Sequence, residues 1–361
     1  MKIIDVRATA LRTHSVFVQV FTDEGITGIG ECSPMHPAII SHFVETALKP
    51  VIVNEDPLET EKLWNKMLFH TYKLGVQGVQ PEAIAGIDIA LWDIKGKATG
   101  LPIHTLLGGC YRAQVPMYAS IGGGGILSID DMCRYVERFL GLGFKAIKIR
   151  MDYAGANLGS QDLDPKKDYE MFKAVKKLTG DNIPLSFDAN NGYSVSTAIS
   201  QGRRFEELGI YHYEEPVAQY DYAGIAQVAA ALDVPVSAGE HEYTRWQFRD
   251  LIEQAQVDII QPDVVKCGGI SELQKIAVLG CVYNKHLLPH QTQPTIGTAA
   301  TLHVVASQPN CNRFQEYTGQ NQYLDALFEE PLVFEDGCLR VPDKPGLGLE
   351  LNEKKMLEFA L

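Results

Sequence analysis

The sequence predicts an α/β protein: a parallel (β/α)7β barrel preceded by a small α+β domain. Three observations lead there. From about Val115 onward, eight short β-rich runs alternate with seven helical stretches, and such alternation implies a parallel sheet that closes on itself at eight units. The first hundred or so residues mix strand and helix patterns without that regularity. Acidic residues also recur at the ends of the runs, about one βα unit apart.

Residues 2–9 and 15–21 alternate as strands do, and TDEGITGIGE (22–31) carries the Asp, Glu and Gly of a turn between two strands. Helical patterns span Pro57 to Leu74 and Pro81 to Thr99, the second closed by Gly100 with Pro102 beyond. The barrel runs are VPMYASI, FKAIKIR, IPLSFDA, IYHYEEP, VPVSAGE, VDIIQPD, HLLPHQ and NRFQEY, with SIDDMCRYVERFLGLG, DPKKDYEMFKAVKKLTG and SVSTAISQGRRFEELG among the helices. After about Asp325 come turn signals (EDG, PDKPGLG) and no further βα unit. Residues 1–114, 115–324 and 325–361 thus read as an α+β domain, a barrel, and a tail expected to pack back on the first domain.

An apolar fraction of 45% and a charged fraction of 21% are ordinary for a soluble globular protein. No apolar run reaches the length of a membrane span, and MKIIDVRATALRT lacks the pattern of a signal peptide. Seven scattered cysteines without a CxxC pair fit reduced thiols in a cytoplasmic protein. A formal charge of −13 argues against nucleic acid or an anionic membrane as partner. An anionic substrate would then need local cations.

Asp188, Glu214 and Glu240 end three successive runs, each 26 residues after the last. Barrel active sites lie at the C-terminal ends of strands, so the three carboxylates converge there. Together they repel one another and resist burial, and a hard divalent cation such as Mg²⁺ with oxygen ligands removes the difficulty. Three unrelated loop acids are the plain alternative, which the shared phase disfavours. Asp263, His290 and Glu316 continue the phase at spacings of 27 and 26. A lone histidine is more often a core or surface residue. Here Asp263 and His290 end adjacent strands, where a carboxylate can orient an imidazole and raise its basicity. In KAIKIR, Lys148 and Arg150 share one strand face and Lys145 takes the other, which supplies the local cations.

The motifs TDEGITGIGE (22–31), AIAGIDIALWDIKGKATGLPIHTLLGG (83–109), KIR (148–150), DAN (188–190), EEP (214–216), GE (239–240), PDVVKCGG (262–269), PH (289–290) and QEY (315–317) resemble, nearly end to end, the mandelate racemase and muconate-lactonising branch of the enolase superfamily. The resemblance implies a modified TIM barrel, (β/α)7β, under an α+β capping domain formed from both termini. It implies Mg²⁺ on Asp188, Glu214 and Glu240, a small-molecule carboxylate substrate, loss of its α-proton, and a symmetric homo-oligomer. Glu215 is then expected beside the metal or among its outer partners. Family members with two bases often carry KxK where this chain has Lys148 and Arg150, and a guanidinium is a poor proton acceptor. His290, backed by Asp263, becomes the base. The expected reaction is dehydration of a sugar acid, with the enolate stabilised by Mg²⁺, Lys148 and Glu316, and with Lys148 touching the substrate carboxylate. A cycloisomerase, an epimerase and an inactive sugar-acid binding protein are the rivals.

Weaker signals complete the reading. GGGG (122–125) lacks the Lys and Ser/Thr of a phosphate loop and is expected to be a flexible turn near the pocket. Asn190 can hydrogen-bond near the metal, and His241 and Glu242 can reach substrate or solvent. In the first domain His14, Met35, His36 and Tyr72 can set specificity, though a surface role fits each equally. Trp92 reads as core packing.

Overall fold

The computed structural model describes residues 1–153, 160–293 and 295–361. Three antiparallel strands, β1 (Ile3–Ala10), β2 (Val16–Thr22) and β3 (Thr27–Cys32), open the chain. Helices α1 (Pro37–Phe43), α2 (Lys49–Ile52), α3 (Thr60–Thr71) and α4 (Val79–Thr99) follow, then a short α5 (Ile103–Leu106). The helical stretch over 37–52 escapes the sequence patterns because it is built from short pieces. It starts on Pro37 at its first turn, where a missing N–H costs nothing. The pattern over 57–74 begins at Thr60 and tightens into a 3₁₀ turn at Tyr72–Leu74. Helix α4 is buried along nearly its whole length. Gly28 and Gly30 on β3 let it approach so closely that a Cβ on Gly30 would lie 1.9 Å from the Gly86 carbonyl oxygen.

The second unit alternates β4 (Gln114–Ile121), α6 (Ile129–Gly141), β5 (Ile147–Arg150), α7 (Pro165–Thr179), β6 (Leu185–Asp188), α8 (Val195–Glu206), β7 (Tyr213–Glu214), α9 (Tyr222–Ala231), β8 (Val236–Ala238), α10 (Thr244–Asp250), β9 (Ile259–Ile260), α11 (Ile270–Val282), β10 (His286–Leu287), α12 (Ile296–Ser307) and β11 (Gln315–Tyr317). Strands β4 to β10 pair in parallel in chain order, and β11 returns to pair with β4. Between β10 and β11 the seam is bridged by Leu287 N–H to the Asn310 carbonyl at 3.1 Å. Several strands are far shorter than the β-rich runs that predict them. The chain leaves the ladder early to form the turns that carry the polar strand ends.

After a short α13 (Gln322–Asp325), the tail forms β12 (Phe334–Glu335) and β13 (Cys338–Arg340) and closes with α14 (Glu353–Glu358). Its last residue donates to the Ala10 carbonyl on β1, and Phe328 packs on Phe17 of β2 with ring centres 6.2 Å apart. It also touches the barrel, because β13 pairs antiparallel with the start of β4. One hydrophobic core runs from Leu11, Phe17 and Trp92 through the barrel strands, joining both units.

Trp92 is more than packing. Its indole N–H donates to the Ser271 hydroxyl at 2.9 Å, and Trp64 on α3 donates to the Gly268 carbonyl at 2.7 Å. The bonds tie the first domain to the first turn of α11 and to the turn that precedes it.

Candidate active site

Sheet register sets the polar strand ends side by side. Arg150 pairs across from Asp188, and Asp188 from Glu214. Glu240 sits past the end of β8 on a turn at Gly239 with φ +141°, where a Cβ would lie 2.7 Å from the Gln261 nitrogen, so glycine alone fits. Leu287 pairs with Ile260, and three residues further on both strands His290 meets Asp263.

At the floor of the site Lys148 is buried, its Nζ 2.7 Å from Glu214 Oε1 and 2.9 Å from Glu316 Oε1, with Asp188 Oδ2 at 3.9 Å. Gln261 donates to Glu214 Oε2 at 2.6 Å. Burial alone would raise the Glu214 carboxyl, but Lys148 and then His212 hold it down at about 2. Asp188 is pushed well up, by burial first and by Glu214 second. Its Oδ1 accepts from the Asn190 backbone N–H at 2.7 Å. Its Oδ2, like Oε1 of Glu215, is buried without a hydrogen-bond partner among the described residues. Glu215 itself lies at φ +40°, a strained setting for a side-chain-bearing residue, and accepts from Asn191 at 2.7 Å. Donor atoms of Glu215, Glu240 and His241 lie within 4.8 Å of one another.

This donor set fits a hard divalent ion. It is rich in carboxylate oxygen and buried, and it contains two unpartnered carboxylate oxygens facing like charge.

Opposite stands the Asp263–His290 pair. Asp263 Oδ2 is 2.7 Å from His290 Nδ1, and Asp263 Oδ1 accepts from the Val265 N–H at 2.9 Å. The other imidazole nitrogen, Nε2, lies 3.0 Å from Glu240 Oε2. Burial would lower the His290 pKa, but Glu240, Asp263 and Glu316 outweigh it and push it up to about 9. Neutralising Glu240 removes the largest raising influence and returns the imidazole towards the range where it accepts a proton near neutral pH.

On the other flank Arg150 pairs with Asp152 at 2.9 Å and keeps a buried Nε without a partner among the described residues. Burial would lower its pKa, but Asp188 and Asp152 more than offset that, so the guanidinium stays charged. The glycine run is its seat. A Cβ on Gly122 would lie 2.6 Å from Arg150 Nη2, and Gly124 donates to the Arg150 carbonyl at 3.0 Å. Tyr153, a conceivable alternative base, donates instead to buried Asp168 at 2.5 Å. Burial and that bond hold its phenol well above the usual range.

The structure therefore brings together Asp188, Glu214, Glu240, Lys148, Arg150, Asp263, His290, Glu316, Asn190 and His241. Lys148 is 1% exposed, as buried as Asp188 and Glu214, and is engaged by Glu214 and Glu316. His14, in the β1–β2 turn, and Tyr72, half exposed in the 3₁₀ turn, lie on the surface of the first domain. Neither makes a side-chain hydrogen bond to a strand-end group among the described residues.

Two buried residues of the site escape the sequence patterns. Gln261, two before Asp263 and so on the same strand face, steadies Glu214. Lys266 donates to the Glu240 carbonyl at 3.2 Å. The first is findable from the period-two rule. The second depends on the turn after β9, whose path the sequence does not reveal.

Comparison with known proteins adds to this geometry. Residues 4–108 match the family model "Mandelate racemase / muconate lactonizing enzyme, N-terminal domain", and residues 131–355 match "Enolase C-terminal domain-like". An arabinonate dehydratase of Saccharolobus solfataricus is 35% identical over 95% of this chain and 90% of its own. A D-galactarolactone cycloisomerase of Agrobacterium fabrum is 34% identical over 97% of this chain and 92% of its own. A mandelate racemase/muconate lactonizing protein from Paracoccus denitrificans superposes with a TM-score of 0.96 at 37% identity, covering 100% of this chain and 98% of its own. A mandelate racemase/muconate lactonizing protein from Paracoccus denitrificans complexed with magnesium superposes with a TM-score of 0.93 at 37% identity, covering 99% of this chain and 97% of its own.

Proposed function

The chain belongs to the mandelate racemase/muconate lactonizing enzyme family of the enolase superfamily, and on that premise we propose that it is a hydro-lyase acting on a sugar acid. The observation that carries this reading is the asymmetry of the site. A carboxylate-backed imidazole stands on one side, and on the other is an arginine that does not accept protons.

Asp188, Glu214 and Glu240 would hold Mg²⁺, with Glu215 and His241 beside them. The charge of such an ion offsets the negative charge that develops on a carboxylate when its α-proton leaves. His290 takes that proton on Nε2, and Asp263 fixes the tautomer by accepting at Nδ1. The C–H electrons form the C=C bond as the β C–O bond breaks. The departing hydroxyl takes a proton from the imidazolium and leaves as water, and the enol becomes a 2-keto-3-deoxy acid. Arg150 offers N–H donors to substrate oxygens. Lys148 acts from beneath, holding Glu214 and Glu316 in place.

A cycloisomerase is the second reading, favoured by the similarity to the Agrobacterium enzyme. It would use the same proton abstraction without loss of water. Incubation with aldonic, uronic and aldaric acids plus Mg²⁺, read by mass spectrometry, separates the two. A product lighter by one water supports dehydration, and an isomer of unchanged mass overturns it.

A further inference from the structure

Barrel helices need hydrogen-bond acceptors at their N-termini, where the first N–H groups have no partner within the helix. The first four supply their own. Ser128, Asp164, Ser194 and Asp221 precede α6, α7, α8 and α9, and each accepts from the third residue of its helix. The last three do not. Tyr243, Gly269 and Thr295 precede α10, α11 and α12 without a side-chain N-cap bond, and the Thr295 hydroxyl is buried without a partner among the described residues.

A remote carboxylate takes the second residue of each of these three helices. Glu272 accepts from Arg245 at 3.0 Å, Asp88 from Ser271 at 2.9 Å, and Glu31 from Gly297 at 2.8 Å. Asp88 lies on α4 and Glu31 on β3, both in the capping domain. They serve α11 and α12, the helices that follow Asp263 and His290.

Asp88 also accepts from the Ser271 hydroxyl at 2.6 Å, and a Cβ on neighbouring Gly269 (φ +92°) would lie 2.4 Å from Asp88 Oδ2. The turn from Asp263 to Gly269 is closed on itself by Cys267 N–H to the Asp263 carbonyl at 2.7 Å and Gly269 N–H to the Val264 carbonyl at 3.0 Å. A shift of the α11 end therefore moves Asp263. On the other side Gln291 links its N–H to Glu316 and its side chain to Thr298 and Thr301 on α12, so a shift of the α12 end moves the residue next to His290.

We infer that Asp88 and Glu31 are positioning residues for the Asp263–His290 pair: through the N-termini of α11 and α12, the capping domain sets the geometry of the proton-transfer half of the site. The inference rests on the proposed function for its activity readout but not for its structural one.

The test uses the full-length chain with Mg²⁺ and ¹⁵N-histidine, the His290 signals being identified by their loss in His290→Asn. Asp88→Ala and Glu31→Ala should each shift or broaden the His290 Nδ1–H signal. Each should lower the α-proton exchange rate, by up to about 100-fold for a misplacement near 1 Å, with KM little changed. Glu31→Gln keeps an acceptor for Gly297 and should recover most of both. Ser128→Ala, which removes the N-cap of α6, should alter neither. If the alanine variants fail to fold, Asp88→Asn is read instead, since its NH2 replaces one of the two oxygens that accept from Ser271, and it too should move the signal. A His290 signal at the wild-type position in folded Asp88 and Glu31 variants overturns the inference. Absence of α-proton exchange in the wild-type protein would overturn the sugar-acid reading, while the imidazole signal still decides the positioning.

Discussion

The two halves of the barrel differ in how they stand. From β4 to α9 each helix carries its own N-cap, a Ser or Asp immediately before it. From β8 onward, α10 leans on α11, and α11 and α12 lean on the capping domain. The first half holds Arg150, Asp188 and Glu214, the second Glu240, Asp263, His290 and Glu316. Asp188 and Glu214 thus stand on locally capped units, whereas Glu240 and the proton-transfer pair stand on units whose helices are capped from elsewhere.

The largest effect should come from His290→Asn. General-base catalysis is worth about 10²–10⁴-fold, so turnover and α-proton exchange in D₂O should both fall by at least that much. If exchange persisted at the wild-type rate, the proton-transfer half would have been misplaced.

Glu240→Gln should come next and act on the metal ligands. Calorimetric Mg²⁺ binding should be lost or greatly weakened while the circular dichroism spectrum stays native, because the barrel is packed by side chains below the site. Undiminished Mg²⁺ affinity would remove Glu240 from the ligand set.

Smaller and purely structural effects are expected in the self-capped half. Ser128→Ala and Asp221→Ala should each cost about 0.5–2 kcal/mol in chemical unfolding and leave kcat unchanged. A loss of kcat in either would blur the contrast between the halves.

The smallest effect is a dependence on pH. Burial pushes Glu31 from 4.5 and Asp88 from 3.8 up to about 7 in the folded state. For acids raised on folding, the contribution to stability is complete below the unfolded values and is lost as pH rises towards about 7. Between pH ~5 and ~8 the wild-type Tm should therefore fall relative to that of Glu31→Gln, which does not ionise. A constant difference across that range would mean that Glu31 titrates normally.

Much of this protein is legible in its sequence. Spacings of 23 to 27 residues place Asp188, Glu214, Glu240, Asp263, His290 and Glu316 at one end of a barrel, because a βα unit has a near-constant length and strand ends share one rim. Self-capping is legible too: SIDD, DPKK, SVST and DYAG each put an N-cap residue three ahead of the N–H it accepts. Local patterns are readable where both partners lie within a few residues of each other.

Other features are decided only by the tertiary structure. The sequence does not reveal that Lys148 is enclosed by Glu214 and Glu316, 66 residues away in the first case. Nor does it pair Asp88 with Ser271 across 183 residues, or Glu31 with Gly297 across 266. Such bonds form because burial leaves a polar group no water to turn to, so each takes whatever donor the packing brings within reach. Gly269 has no side chain to cap α11, and Thr295, which by residue type could cap α12, does not; at both the packing of one domain against another completes the helix start.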